Sequence, residues 1–124
     1  MIKVLIVDDS VFSQKIAANL IKKNMDDVEL SFANDGEEGI ELYEKLKPDF
    51  VITDLLMPKL SGQELIRLIK AQDEFAKIIV ISADVQKNIR EEVEAYNILA
   101  FLNKPLQDEK AQLICNLMRE KIDG

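Results

Sequence analysis

The chain has 124 residues, 48% of them hydrophobic, enough to bury the core of one compact domain and too few for a full second one. Its 16 Lys and Arg against 23 Asp and Glu leave a net charge of -7, with no basic run longer than Lys22-Lys23, which excludes binding to nucleic-acid phosphates. The absence of histidine and the presence of 1 cysteine, Cys115, exclude histidine-based triads, histidine-ligated zinc, phosphohistidine carriers, intrachain disulfides and thiolate metal clusters.

The first aliphatic run, Ile2 to Val7, reads as a strand apolar on both faces, and Asp8, Asp9 and Ser10 follow it. Phe12, Ile16 and Leu20 then step by four, with Ala17 and Ile21 beside them, which predicts an amphipathic helix. A second strand is expected over Val28 to Ala33, then the turn Asn34-Asp35-Gly36 and a helix carrying Gly39-Ile40, Tyr43 and Leu46. The third strand, Asp49 to Thr53, comes after Lys47-Pro48 and leads into Asp54. Beyond Met57-Pro58, Leu65-Ile66 and Ile69 mark the third helix. A fourth strand over Lys77 to Ile81 delivers Ser82, and Val85, Ile89 and Val93 step by four behind it. A fifth, Ile98 to Leu102, leads into Asn103-Lys104-Pro105. The last helix bears Leu113-Ile114, Leu117-Met118 and Ile122, with Cys115 as a small core side chain.

Strand and helix thus alternate five times, and each connection is long enough for a helical crossover. This predicts a (βα)5 doubly wound parallel sheet with helices on both faces, a single domain over residues 1–124 without internal repeat. No aliphatic run is long enough to span a bilayer, and Met1-Ile2-Lys3 runs into Asp8-Asp9 without the pattern of a signal peptide. No membrane partner and a cytoplasmic location are expected.

In such a sheet, ligands bind beyond the carboxyl ends of the strands. Four of the five strand ends carry a carboxylate, a hydroxyl or an ammonium there: Asp8, Asp9 and Ser10; Asp54; Ser82; and Lys104. Two like charges about 4 Å apart repel by roughly 4 kcal/mol at an effective dielectric near 20, so converging carboxylates need cations among them. Lys104 supplies one, and an all-oxygen donor set built on Asp9, Asp54 and a backbone carbonyl suits hard Mg²⁺ or Mn²⁺. The same arrangement prepares Asp54 as a nucleophile for a phosphoryl group, with Lys104 and Ser82 holding the phosphoryl oxygens.

The fragments Val7-Asp8-Asp9-Ser10, Asp54-Leu55-Leu56-Met57-Pro58 with Gly62 beyond, Ile81-Ser82-Ala83 and Lys104-Pro105, in that order at strand ends, resemble the receiver domains of two-component response regulators. The resemblance spans essentially the whole chain and is greatest to the single-domain chemotaxis type. It implies the flavodoxin-like strand order 2-1-3-4-5, which general fold knowledge assigns to this family. It implies phosphorylation of Asp54 by the phosphohistidine of a sensor histidine kinase. It further implies Mg²⁺ on Asp9, Asp54 and the main-chain carbonyl of Leu56, with Asp8 acting through water, and a cis bond before Pro105. Lys104 pairs with the phosphoryl group, Ser82 moves to hydrogen-bond it, and Phe101 is the switch aromatic. Output through the face of the fourth helix, fifth strand and fifth helix follows, toward a flagellar switch or another effector, with a phosphatase as a further partner. The expected state is a monomer, with dimerisation on phosphorylation left open.

The same residues also have plainer roles open to them. Asp9 or Ser10 can cap the first helix, Ser82 can be a turn residue, Lys104 a surface lysine, Phe101 core, and Gly62 a relief for the backbone. Leu56 and Asp84 flank the expected phosphoryl site and leave its lifetime open. Among rival functions, a flavodoxin-like flavin carrier conflicts with Asp8 and Asp9 in the loop that must face a flavin phosphate. A phosphohydrolase of the haloacid dehalogenase type needs a second Asp where Leu56 stands. A relay intermediate and a regulator of a partner enzyme remain alternatives to motility, and a receiver reduced to a scaffold conflicts with the full acid, hydroxyl and lysine set.

Overall fold

The computed structural model describes residues 1–83 and 86–123. Five strands, β1 (Ile2–Val7), β2 (Val28–Ala33), β3 (Phe50–Thr53), β4 (Ile78–Ser82) and β5 (Ala100–Asn103), form one sheet in the order β2-β1-β3-β4-β5. Every pairing is parallel, with Val7 opposite both Ala33 and Thr53, Thr53 opposite Val80, and Ser82 opposite Asn103. This register brings the ends of the strands to one rim. The helices are α1 (Val11–Asn24), α2 (Gly36–Leu46), α3 (Gly62–Gln72), α4 (Lys87–Glu94) and α5 (Asp108–Asp123).

Alternation along the central strands divides the core in two. Val4, Ile6, Ile52, Ile79 and Ile81 pack with Ala17 and Ile21 of α1 and with Ile114, Cys115 and Met118 of α5. Leu5, Val7, Val51, Ile78 and Val80 pack on the opposite face with Leu65, Ile66 and Ile69 of α3 and Val93 of α4. Both faces of β1, β3 and β4 are therefore dry, which explains their uninterrupted aliphatic sequences. The edge strands β2 and β5 are only partly covered.

Several boundaries differ from the sequence reading. Asp49 lies before β3, where its backbone N–H and its carboxylate both pair with Lys3. Ser82 belongs to β4, and β5 begins two residues later than expected. The face that α1 buries is Gln14, Ala17, Ala18 and Ile21, whereas Phe12 of the expected stripe is 73% exposed. Packing on β1 turns the small side chains inward and leaves Phe12, Ile16 and Ala17 along a cavity of about 340 Å³ beside the strand ends. In α4, Val93 is buried and Ile89 half-buried; Val85, the third member of that stripe, lies outside the described residues, as does Asp84.

Candidate functional site

The rim is assembled from loops fixed by backbone hydrogen bonds that prolong the ladders. Asp8 N–H donates to the Ala33 carbonyl at 3.0 Å, Asp54 N–H to Val7 at 3.0 Å, and Lys104 N–H to Ser82 at 2.8 Å. Asp8, Asp54 and Lys104 thus each sit one step beyond a strand, with the backbone held by the neighbouring strand. The Lys104-Pro105 peptide bond is cis.

One carboxylate oxygen each from Asp8, Asp9 and Asp54 lies within 4.8 Å of the other two. Asp8 and Asp54 are buried and Asp9 is exposed. Lys104 Nζ stands between two of them, 2.9 Å from Asp8 Oδ2 and 2.9 Å from Asp54 Oδ2. The second oxygens are also engaged: Asp8 Oδ1 accepts from Ser10 N–H at 2.9 Å, and Asp54 Oδ1 from Leu55 N–H at 2.7 Å. Burial pulls the Lys104 ammonium pKa down, but hydrogen bonds and charge attraction from Asp54 and Asp8 outweigh it and hold the pKa above its ordinary 10.5. The lysine is therefore charged at neutral pH. One ammonium still leaves the three carboxylates in excess of negative charge.

Ser82 is fully buried at the end of β4, and its Oγ has no hydrogen-bond partner among the described residues. An orphaned buried hydroxyl is costly, and it retains its capacity to donate to an incoming anion. Phe101 lies in the core on the same side as α3 and α4, and the Arg90 guanidinium covers its ring at 4.7 Å. Leu56, two residues past Asp54, is 66% exposed on the loop. Of the capping alternatives, Ser10 is the cap of α1, accepting from Ser13 N–H at 3.2 Å, while Asp9 is left to the acidic cluster.

Two residues carry more than the sequence indicated. Gly62 opens α3 against the phosphoacceptor loop and donates to the Leu55 carbonyl at 2.9 Å; a Cβ there would overlap the Asp54 carbonyl oxygen. The need is for close approach rather than for a relaxed backbone at the helix start. Gln14 is buried with its amide at the junction of β1 and β2, and nothing but its place among apolar neighbours on a helix face could have drawn attention to it.

The donor set is all oxygen and fits a hard divalent cation, the chemistry that three converging carboxylates favour. An open parallel α/β sheet with an acid cluster, a buried serine and a bridging lysine at its carboxyl rim defines a phosphoacceptor class of signalling domain. The chain belongs to the response regulator receiver domain family, which matches residues 4–116. It is 37% identical over 108 residues to the chemotaxis protein CheY of Thermotoga maritima, covering 87% of this chain and 89% of that protein. It is 34% identical over 110 residues to CheY of Listeria monocytogenes, covering 89% of this chain and 92% of that one. A solved complex of CheX, CheY, BeF3 and Mg²⁺ from Borrelia burgdorferi superposes with a TM-score of 0.84 at 28% identity, covering 98% of this chain and 89% of that one. Receiver domains are switches of two-component signalling, and phosphoryl acceptance is their general function.

Proposed function

We propose that Asp54 accepts a single phosphoryl group from the phosphohistidine of a sensor histidine kinase and that residues 1–124 act as one receiver unit. The observation that carries the reading is Lys104 bridging Asp8 and Asp54 at 2.9 Å each, beside Asp9. In the transfer, an Asp54 carboxylate oxygen attacks phosphorus, the P–N bond of the donor breaks, and an aspartyl phosphate forms. Lys104 can exchange its contact with Asp54 for one with the phosphoryl oxygens while keeping Asp8. The Ser82 hydroxyl, which has no partner among the described residues to give up, can then donate to the same group. Asp9, Asp54 and the Leu56 carbonyl would hold Mg²⁺ or Mn²⁺, with Asp8 acting through water. The ion supplies charge neutralisation on the phosphoryl oxygens.

Engagement of Ser82 draws on the end of β4, and Phe101 on neighbouring β5 relays the change to the face of α4, β5 and α5, the expected docking face for a downstream protein. A chemotaxis role in the cytoplasm is supported by the coverage of the two CheY proteins and by the Borrelia neighbour, which was solved with the second protein CheX. Among the described residues no helix is long and apolar enough to cross a membrane.

The test is incubation with acetyl phosphate or a phosphorylated kinase, with and without Mg²⁺, followed by intact mass. One added phosphoryl group is expected, labile to hydroxylamine and missing in Asp54→Asn. Labelling that persists in that variant refutes the assignment.

A further inference from the structure

The Gln14 side chain is the inward-facing polar group of α1, 6% exposed among Ala17, Ala18 and Ile21. Its Nε2 reaches three acceptors: the Asp8 carbonyl at 2.7 Å, the Ala33 carbonyl at 3.2 Å and Asn34 Oδ1 at 2.9 Å. An amide nitrogen has two hydrogens, so three acceptors share them, and the shortest contact goes to Asp8. Among the described residues, the hydrogen bonds joining the loop after β1 to the turn after β2 are these and Asp8 N–H to Ala33.

The place of this amide matters because Asp8 and Asp9 belong to the loop it holds. Its partners on the other side are also fixed. Asn34 donates its backbone N–H to Glu38 Oε1 at 3.0 Å, and Asp35, the cap of α2, pairs with Lys59 of the loop after β3 at 3.6 Å. Gln14 therefore ties the acid-bearing loop to a turn that is itself anchored to the loop beyond Asp54. Its charge is also suited to the position. A neutral donor turned toward the Asp8 carbonyl satisfies an acceptor next to three carboxylates without competing, as a cation would, for those carboxylates.

We propose that Gln14 is a positioning residue for the divalent-cation site, setting the separation of Asp8 and Asp9 from Asp54 through the Asp8 carbonyl. This rests on the cation site assigned above. Partners that orient ligands from outside the coordination sphere are typically worth about 10- to 100-fold in metal affinity, and the lower figure suits a contact one carbonyl removed from the carboxylates.

The experiment is Mg²⁺ titration by calorimetry of wild type, Gln14→Met and Asn34→Ala, each well below its unfolding midpoint. Hydrogen exchange at the Ser10 amide, which donates to Asp8 Oδ1, is followed without metal. Gln14→Met keeps shape and loses the donor. It should weaken Mg²⁺ about tenfold and speed exchange at Ser10 more than at amides of the central strands. Asn34→Ala, which leaves the Asp8 contact in place, should stay within about twofold of wild type. If Gln14→Met does not fold, Gln14→Ala, which likewise removes the donor to the Asp8 carbonyl, is read in the same way. Wild-type affinity in Gln14→Met, or an equal loss in Asn34→Ala, overturns the inference. Failure of wild type to bind Mg²⁺ instead removes the cation site on which it rests.

Discussion

Replacing Lys104 with Met removes the ammonium from between Asp8 and Asp54 while keeping the length of the side chain. At 2.9 Å, each contact has a gross attraction of about 6 kcal/mol at an effective dielectric near 20. The carboxylates left behind, within 4.8 Å of each other, repel by roughly 3.5 kcal/mol on the same scale. The gross attraction overstates the loss, because the Lys104 side chain is 21% exposed and its charge was partly dehydrated to reach the site. Removing one member of a buried pair costs about 3–5 kcal/mol, and this half-screened group belongs at the lower end, near 3 kcal/mol. In a domain of this size that lowers Tm by roughly 10 °C. The loss should be largest in metal-free protein. With the ammonium gone, Mg²⁺ meets a more negative site, so saturating Mg²⁺ should recover more than half of the deficit and its affinity should not fall. Thermal unfolding followed by circular dichroism at pH 7, in EDTA and in Mg²⁺, measures both. Equal deficits in the two conditions, or none in EDTA, would refute the electrostatic account of the rim. The pH dependence has a sign as well. A lysine whose folded pKa lies above 10.5 stabilises fully below that value and loses its contribution as pH rises through the folded pKa, so the wild-type advantage should fade only in strong alkali.

Two further outcomes are expected. Gly62→Ala should force the start of α3 away from the Asp54 carbonyl, lowering stability by about 1–3 kcal/mol as overpacking does, and should slow labelling of Asp54 by acetyl phosphate; unchanged labelling and Tm would show that the loop yields freely. Asp35 caps α2 through the Glu38 N–H, which holds its carboxyl below the ordinary 3.8 against the opposing effect of burial, with Lys59 adding to the lowering. Its contribution is present above that ordinary value and lost as pH falls through the lower folded one. Asp35→Ala should therefore cost about 1 kcal/mol in urea unfolding at pH 7 and much less near pH 2.

Much of this was readable from residue pattern. The aliphatic runs around Val4-Leu5-Ile6, Val51-Ile52 and Ile79-Val80 announce strands covered on both sides, and the polar residues after them announce a rim. Asp35, in the expected turn Asn34-Asp35-Gly36, caps α2. Phe12 and Gln14 show where pattern misleads. A phenylalanine stepping by four with Ile16 and Leu20 should be inside and a glutamine outside, but the face that α1 turns to the core holds Ala17, Ala18 and the Gln14 side chain and leaves Phe12 at the surface. Gly62 is comparable, since its requirement is set by a carbonyl eight positions earlier in the chain.

Periodicity and strand-end chemistry were already written into the chain because they depend on neighbours within a turn or a strand. The meeting of Asp8, Asp9, Asp54 and Lys104 was expected only through the strand order that the family resemblance implies, since those residues are brought together by strand order and register between segments up to 96 positions apart. Which oxygen faces the lysine, which hydroxyl is left unpartnered and which amide ties the loops are consequences of packing. Local pattern proposes the groups; the parallel sheet, by aligning its carboxyl ends, decides their distances.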